Sequence, residues 1–106
     1  MSGEVKAKEI VSTVRDMADR PFVVSVTHQY ASEWQELALF VLLEDEAKDR
    51  EVARLCNAIL QHLNEVLPRG NPHFSWQVQF KRQAQIIEVI FPGDAQRKVN
   101  TVRYPR

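Results

Sequence analysis

The chain has 106 residues, enough for one domain with a single core that needs neither a metal ion nor disulfides. Its 14 Lys and Arg balance 14 Asp and Glu, which excludes a strong overall field that would attract nucleic acid or anionic membranes. The single cysteine, Cys56, excludes an intramolecular disulfide, and no apolar run approaches the roughly 20 residues that span a bilayer. We therefore expect a cytoplasmic protein without membrane contact.

The chain begins with a predicted helix, which is followed by a predicted strand. In residues 5–18, apolar side chains recur at spacings of three and four, as on a helix with one apolar face. In residues 22–30, Phe22, Val24 and Val26 occupy one face of an alternating pattern. We expect these three side chains to point towards the core.

A fully apolar strand and the longest helix come next. Residues 35–44 are apolar on both faces, which is typical of a strand with neighbours on both sides. Residues 45–67 contain an apolar stripe at helical spacing. The acidic stretch "EDE" at its start suits the positive end of a helix dipole, and "PRGNP" ends the pattern.

Two further strands are predicted in residues 73–91, joined through "KRQAQ". The first alternates strictly, with four large apolar residues on one face. The second is apolar on both faces and carries one charge, Glu88, in its middle. Residues 93–106 form a polar, basic tail, which we expect to be partly flexible or to add a short extra strand.

The predicted element order is α-β-β-α-β-β in one domain covering residues 1–106. This order favours an α+β two-layer sandwich, a four-stranded and mainly antiparallel sheet with both helices on one face. Because the alternating strands resemble edge strands, we predict the sheet order 3-4-2-1, with the second and fourth strands adjacent and parallel. That order resembles a circularly permuted ferredoxin-like sheet. The resemblance is one of topology, and no motif identifies a family.

Motifs for catalysis and cofactor binding do not occur in the sequence. Three glycines are too few for a phosphate-binding loop, and the three histidines are scattered without metal-ligand spacing. Cys56 lies in the apolar stripe of a helix, where burial makes a thiol unreactive. We predict no metal ion, no cofactor and no catalytic residue.

The sheet face away from the helices is the predicted binding surface. Simple alternation places Ile86, Glu88 and Ile90 there. The second strand adds one of two sets, Ala38, Phe40 and Leu42 or Leu37, Leu39 and Val41. An apolar centre with polar edges is typical of a protein interface. The predicted binding residues are Phe40, Ile86, Glu88, Ile90 and the hairpin tryptophan, Trp34.

Three functions fit such a surface. The favoured one is a non-catalytic binding domain that self-associates or binds another protein through the open face, although the tail could instead fold over that face. The alternative is a small enzyme or ligand-binding protein with a small-molecule pocket around Glu88.

The third candidate function is nucleic-acid binding through Lys81, Arg82 and the basic tail. Sheet-type RNA readers stack bases on aromatic side chains of the open face. The aromatic residues of the third strand are predicted to point into the core instead, so this function is disfavoured.

Overall fold

The computed structural model describes residues 3–66 and 74–92. Its elements are α1 (Gly3–Met17), β1 (Val23–Ala31), β2 (Glu36–Leu43), α2 (Asp49–Val66), β3 (Ser75–Arg82) and β4 (Gln85–Ile90). Two helices and a four-stranded mixed sheet make a two-layer α+β fold, as predicted. The tail, residues 93–106, for which we predicted flexibility or an extra strand, lies outside the described residues.

The strand order is β1-β2-β3-β4, so the predicted order 3-4-2-1 is wrong. β1 and β2 form one antiparallel pair and β3 and β4 another, while β2 and β3 run parallel at the centre. The resemblance to a permuted ferredoxin-like sheet depended on β4 lying beside β2, and it is not confirmed.

The incorrect order has a physical explanation in β3. Strict alternation shows that a strand has one solvated face, but it does not show that the strand lies at an edge of the sheet. In β3 the outward side chains of Gln77 and Gln79 are half-buried and uncharged, which a central strand tolerates on an uncovered face. The connection from β2 through α2 to β3 is the usual crossover between adjacent parallel strands.

The core lies between the helices and one face of the sheet. α1 and α2 contribute buried apolar side chains to the same cluster as β2 and β3. The helix-facing residues of the two central strands are Leu37, Leu39 and Val41 on β2 and their partners Trp76, Val78 and Phe80 on β3.

The start of β1 departs from the predicted alternation. The register shifts between Val23 and Ser25, so Val24 is an extra residue at a bulge. Val24 is therefore 51% exposed rather than buried, while Phe22 and Val26 pack partly against the core as predicted.

Candidate interaction surface

The β3–β4 hairpin decides which side chains of β4 face the helices. Gln83 and Ala84 form its two-residue turn with φ angles of 54° and 63°, and Arg82 pairs with Gln85 across it. Lys81 pairs with Ile86, but Phe80 pairs with Glu88, so Ile87 is an extra residue in β4. Without this bulge Phe80 would pair with Ile87, and Glu88 would lie on the open face.

The predicted placement of Glu88 and Ile90 on the open face is therefore wrong. Both side chains are fully buried, and the register places them on the helix side with Phe80 and Val78. Glu88 Oε1 accepts a hydrogen bond of 3.0 Å from the backbone N–H of Val89. Because its exposed fraction is 0%, Glu88 is a carboxylate within the core and not a contact for a ligand on the open face.

The strand register gives the composition of the open sheet face. Its three rows across the strands are Gln29, Ala38 and Gln77; Thr27, Phe40, Gln79 and Val89; and Ser25, Leu42, Lys81 and Ile86. Of the two sets considered for the second strand, the open face thus carries Ala38, Phe40 and Leu42. The face consists of polar stripes on β1 and β3 and apolar stripes on β2 and β4, rather than an apolar centre with polar edges.

The apolar stripes are partly accessible to solvent. Leu42 is 39% exposed and Ile86 is 40% exposed, while Phe40 and Val89 are half-buried. The predicted residues Phe40 and Ile86 therefore do lie on the open face. Single exposed apolar residues are ordinary. Here the two apolar stripes lie on either side of the polar stripe of β3, and a partner that packs on the open face would cover both.

The polar stripe on β3 makes contacts within the face. The Lys81 ammonium lies 6.0 Å from the centroid of the Phe40 ring, within the range of a cation–π contact. Gln79 Nε2 donates to Gln77 Oε1 at 3.3 Å. These contacts hold the polar side chains against the sheet, and the apolar groups beside them remain accessible.

Trp34 lies apart from these rows, in the turn between β1 and β2. Its backbone N–H donates to the carbonyl of Ala31 at 3.2 Å, and its side chain is 76% exposed. The structure does not bring Trp34 together with Phe40 and Ile86 into one row, and its role in binding remains a prediction.

The basic residues of the second hairpin contact the domain itself. Arg82 Nη1 donates to the carbonyl of Ala47 at 2.7 Å and to Asp49 Oδ1 at 2.8 Å, which ties β3 to the start of α2. Lys81 lies over Phe40. The basic tail that completes the predicted nucleic-acid surface, with Arg97, Lys98, Arg103 and Arg106, lies outside the described residues.

Val89 and Lys81 lie on the open face, although neither was predicted to lie there. Simple alternation through β4 does not include the bulge, and it therefore places Val89 on the helix side. Lys81 was assigned to the hairpin tip, although the sequence indicates its place on the open face. It follows Gln77 and Gln79 at a spacing of two, so it points to the same side of β3 as they do, opposite the apolar side chains of that strand.

Within residues 3–66 and 74–92, no three His, Cys, Asp or Glu side chains lie close enough together to hold a metal ion. Cys56 is buried in α2. Neither α1 nor α2 is long and apolar enough to cross a membrane.

Comparison of the chain with protein-family models, with curated proteins and with solved structures gives no match.

Proposed function

We propose that the domain is a non-catalytic binding module that self-associates face to face through its open sheet face. The observation that carries this proposal is the pair of partly exposed apolar stripes on β2 and β4, represented by Phe40, Leu42 and Ile86. Each Å² of apolar surface that a partner covers favours association by roughly 25 cal/mol before the entropic cost of binding.

The favoured partner is a second copy of the same chain. The formal net charge is zero at neutral pH, so two copies do not repel each other through their overall charge. Sheets that pack face to face align within about 30°, so the apolar stripes of one copy can contact those of the other. The amides of Gln77 and Gln79 both donate and accept hydrogen bonds and can pair with the same amides across a two-fold axis.

The dimensions of the sheet indicate a weak association. Four strands spaced about 4.8 Å apart and about six residues long form a face of roughly 20 Å by 20 Å. Two such faces total about 800 Å², which is below the roughly 1,200 Å² at which stable, specific protein interfaces begin. We therefore expect a dissociation constant of about 1 µM to 100 µM.

Substitution of Leu42→Lys or Ile86→Lys is expected to weaken self-association by about tenfold or more. Each change adds a second ammonium group to the row that already carries Lys81. Dimer formation would then remove this added charge from water without a partner charge. Sedimentation equilibrium over a wide range of protein concentrations measures the effect.

Val5→Lys is the matched control for these two variants. Val5 is an exposed apolar residue of α1, in the helix layer rather than on the open face. The Val5→Lys variant should associate as the unmodified protein does. The proposal would be contradicted if the unmodified protein stayed monomeric at all concentrations up to about 1 mM. Equal association constants for all three variants would also contradict it.

A further inference from the structure

We propose a second binding site, for a small aromatic carboxylate, in the cleft between the end of α1, the connection from α1 to β1, and α2. The cleft has a volume of about 350 Å³ and is lined by residues of all three segments. It lies in the helix layer, away from the open sheet face, so it is independent of self-association.

The floor of the cleft is apolar. Leu55 is buried, and Met17 and Phe22 are half-buried and pack against the core. Ala58 also lines the cleft, and its small side chain leaves space where a larger residue of α2 would fill it. Such a floor favours a flat, apolar ligand body.

The rim of the cleft carries two guanidinium groups from different segments, Arg20 after α1 and Arg54 on α2. Within the described residues neither group forms an ion pair with a carboxylate. Glu51 lies one turn before Arg54 and also lines the cleft. Two positive charges and one negative charge leave a net charge of +1, which favours a monoanion.

A carboxylate attached to an aromatic ring fits both parts of this lining. The planar fork of a guanidinium group matches a carboxylate with two parallel hydrogen bonds, and guanidinium groups also stack on aromatic faces. The apolar floor accepts the ring. A volume of about 350 Å³ is at the lower end of the range for ligand pockets and suits a body of one or two rings.

The backbone that positions both arginines is held in place. In the turn after α1, the Arg20 N–H donates to the carbonyl of Ala18 at 2.8 Å, and the Arg20 carbonyl accepts from the N–H of Val23 at 3.0 Å. Arg54 lies between the buried residues Ala53 and Leu55 on α2. Because no loop has to become ordered, binding a ligand here requires only that two side chains become ordered.

The test is a titration of the full-length protein with naphthoate, followed by amide chemical shifts in NMR spectra. We expect the largest shifts at Arg20, Phe22, Leu55 and Ala58. Arg20→Gln and Arg54→Gln should each weaken binding about threefold to tenfold. Glu51→Gln should strengthen it, because it removes the negative charge from the rim.

Arg50→Gln is the matched control, since Arg50 is an exposed arginine of α2 that does not line the cleft. This variant should bind naphthoate as the unmodified protein does. Naphthalenemethanol, which has the same ring system without the charge, should bind more weakly than naphthoate. Ala58→Trp should abolish binding by filling the cleft, with the circular dichroism spectrum unchanged.

Several results would overturn the site. Naphthalenemethanol could bind as tightly as naphthoate, or Arg20→Gln and Arg54→Gln could both leave the affinity for naphthoate unchanged. A folded Ala58→Trp variant could still bind naphthoate, or the largest chemical-shift changes could occur at Phe40 and Leu42. We expect a dissociation constant of at most about 1 mM, so the absence of any shift at about 5 mM naphthoate would also overturn the site.

Discussion

Phe80→Ala is expected to lower the free energy of unfolding by about 3–5 kcal/mol. Phe80 is fully buried on the helix side of β3, between Val41 on β2 and Glu88 on β4. Removing its ring deletes buried apolar surface and leaves a cavity that a packed core fills only partly. A domain of this size has about 5–15 kcal/mol of stability in total, so the variant should be close to unfolding.

Phe40→Ala provides the matched comparison on the other face of the same sheet. Phe40 is half-buried, so its truncation should lower the free energy of unfolding by no more than about 2 kcal/mol. Urea unfolding at a protein concentration too low for self-association measures both values. Equal losses for the two phenylalanines would show that the assignment of the covered and open faces is wrong.

Glu88→Ala is expected to lower the free energy of unfolding by about 2–4 kcal/mol. The side chain is fully buried, and its carboxylate accepts the hydrogen bond from the Val89 N–H. Truncation removes that acceptor and opens a cavity against the helices. Glu88→Gln keeps an oxygen at the same position and should therefore lose less stability than Glu88→Ala.

The control for Glu88 is the next residue, Val89→Ala. Val89 is half-buried and lies on the open face, so its truncation should lower the free energy of unfolding by about 1 kcal/mol. Urea unfolding again gives the comparison. If Glu88→Ala were no more destabilising than Val89→Ala, the carboxylate would be solvated and the bulge in β4 would be absent.

The helices and strands could be predicted from the sequence because each has the periodicity of its own structure. The apolar stripe of α2 and the alternation in β3 both identify their elements correctly. The strand order could not be predicted from the same patterns. Alternation reports how each face of a strand is covered, and β3 has one uncovered face although it lies at the centre of the sheet.

The composition of the open sheet face was predicted in part, and a single residue explains the error. Phe40 and Ile86 lie on the open face as expected. Glu88 and Ile90 lie on the helix side instead. The extra residue Ile87 shifts the alternation of β4, so each later side chain points to the face opposite the predicted one. The sequence "KRQAQIIEV" contains no glycine to mark a bulge, so the reversal becomes visible only from the strand register.

Self-association through the open sheet face is tested most directly by intermolecular nuclear Overhauser effects in a mixed sample of isotope-labelled and unlabelled protein. We predict contacts between the methyl groups of Leu42 or Ile86 in one copy and the Phe40 ring of the other. These contacts should disappear in the Leu42→Lys variant. Association without any contact involving these three residues, or a protein that stays monomeric at the concentrations of the experiment, would contradict self-association through this face.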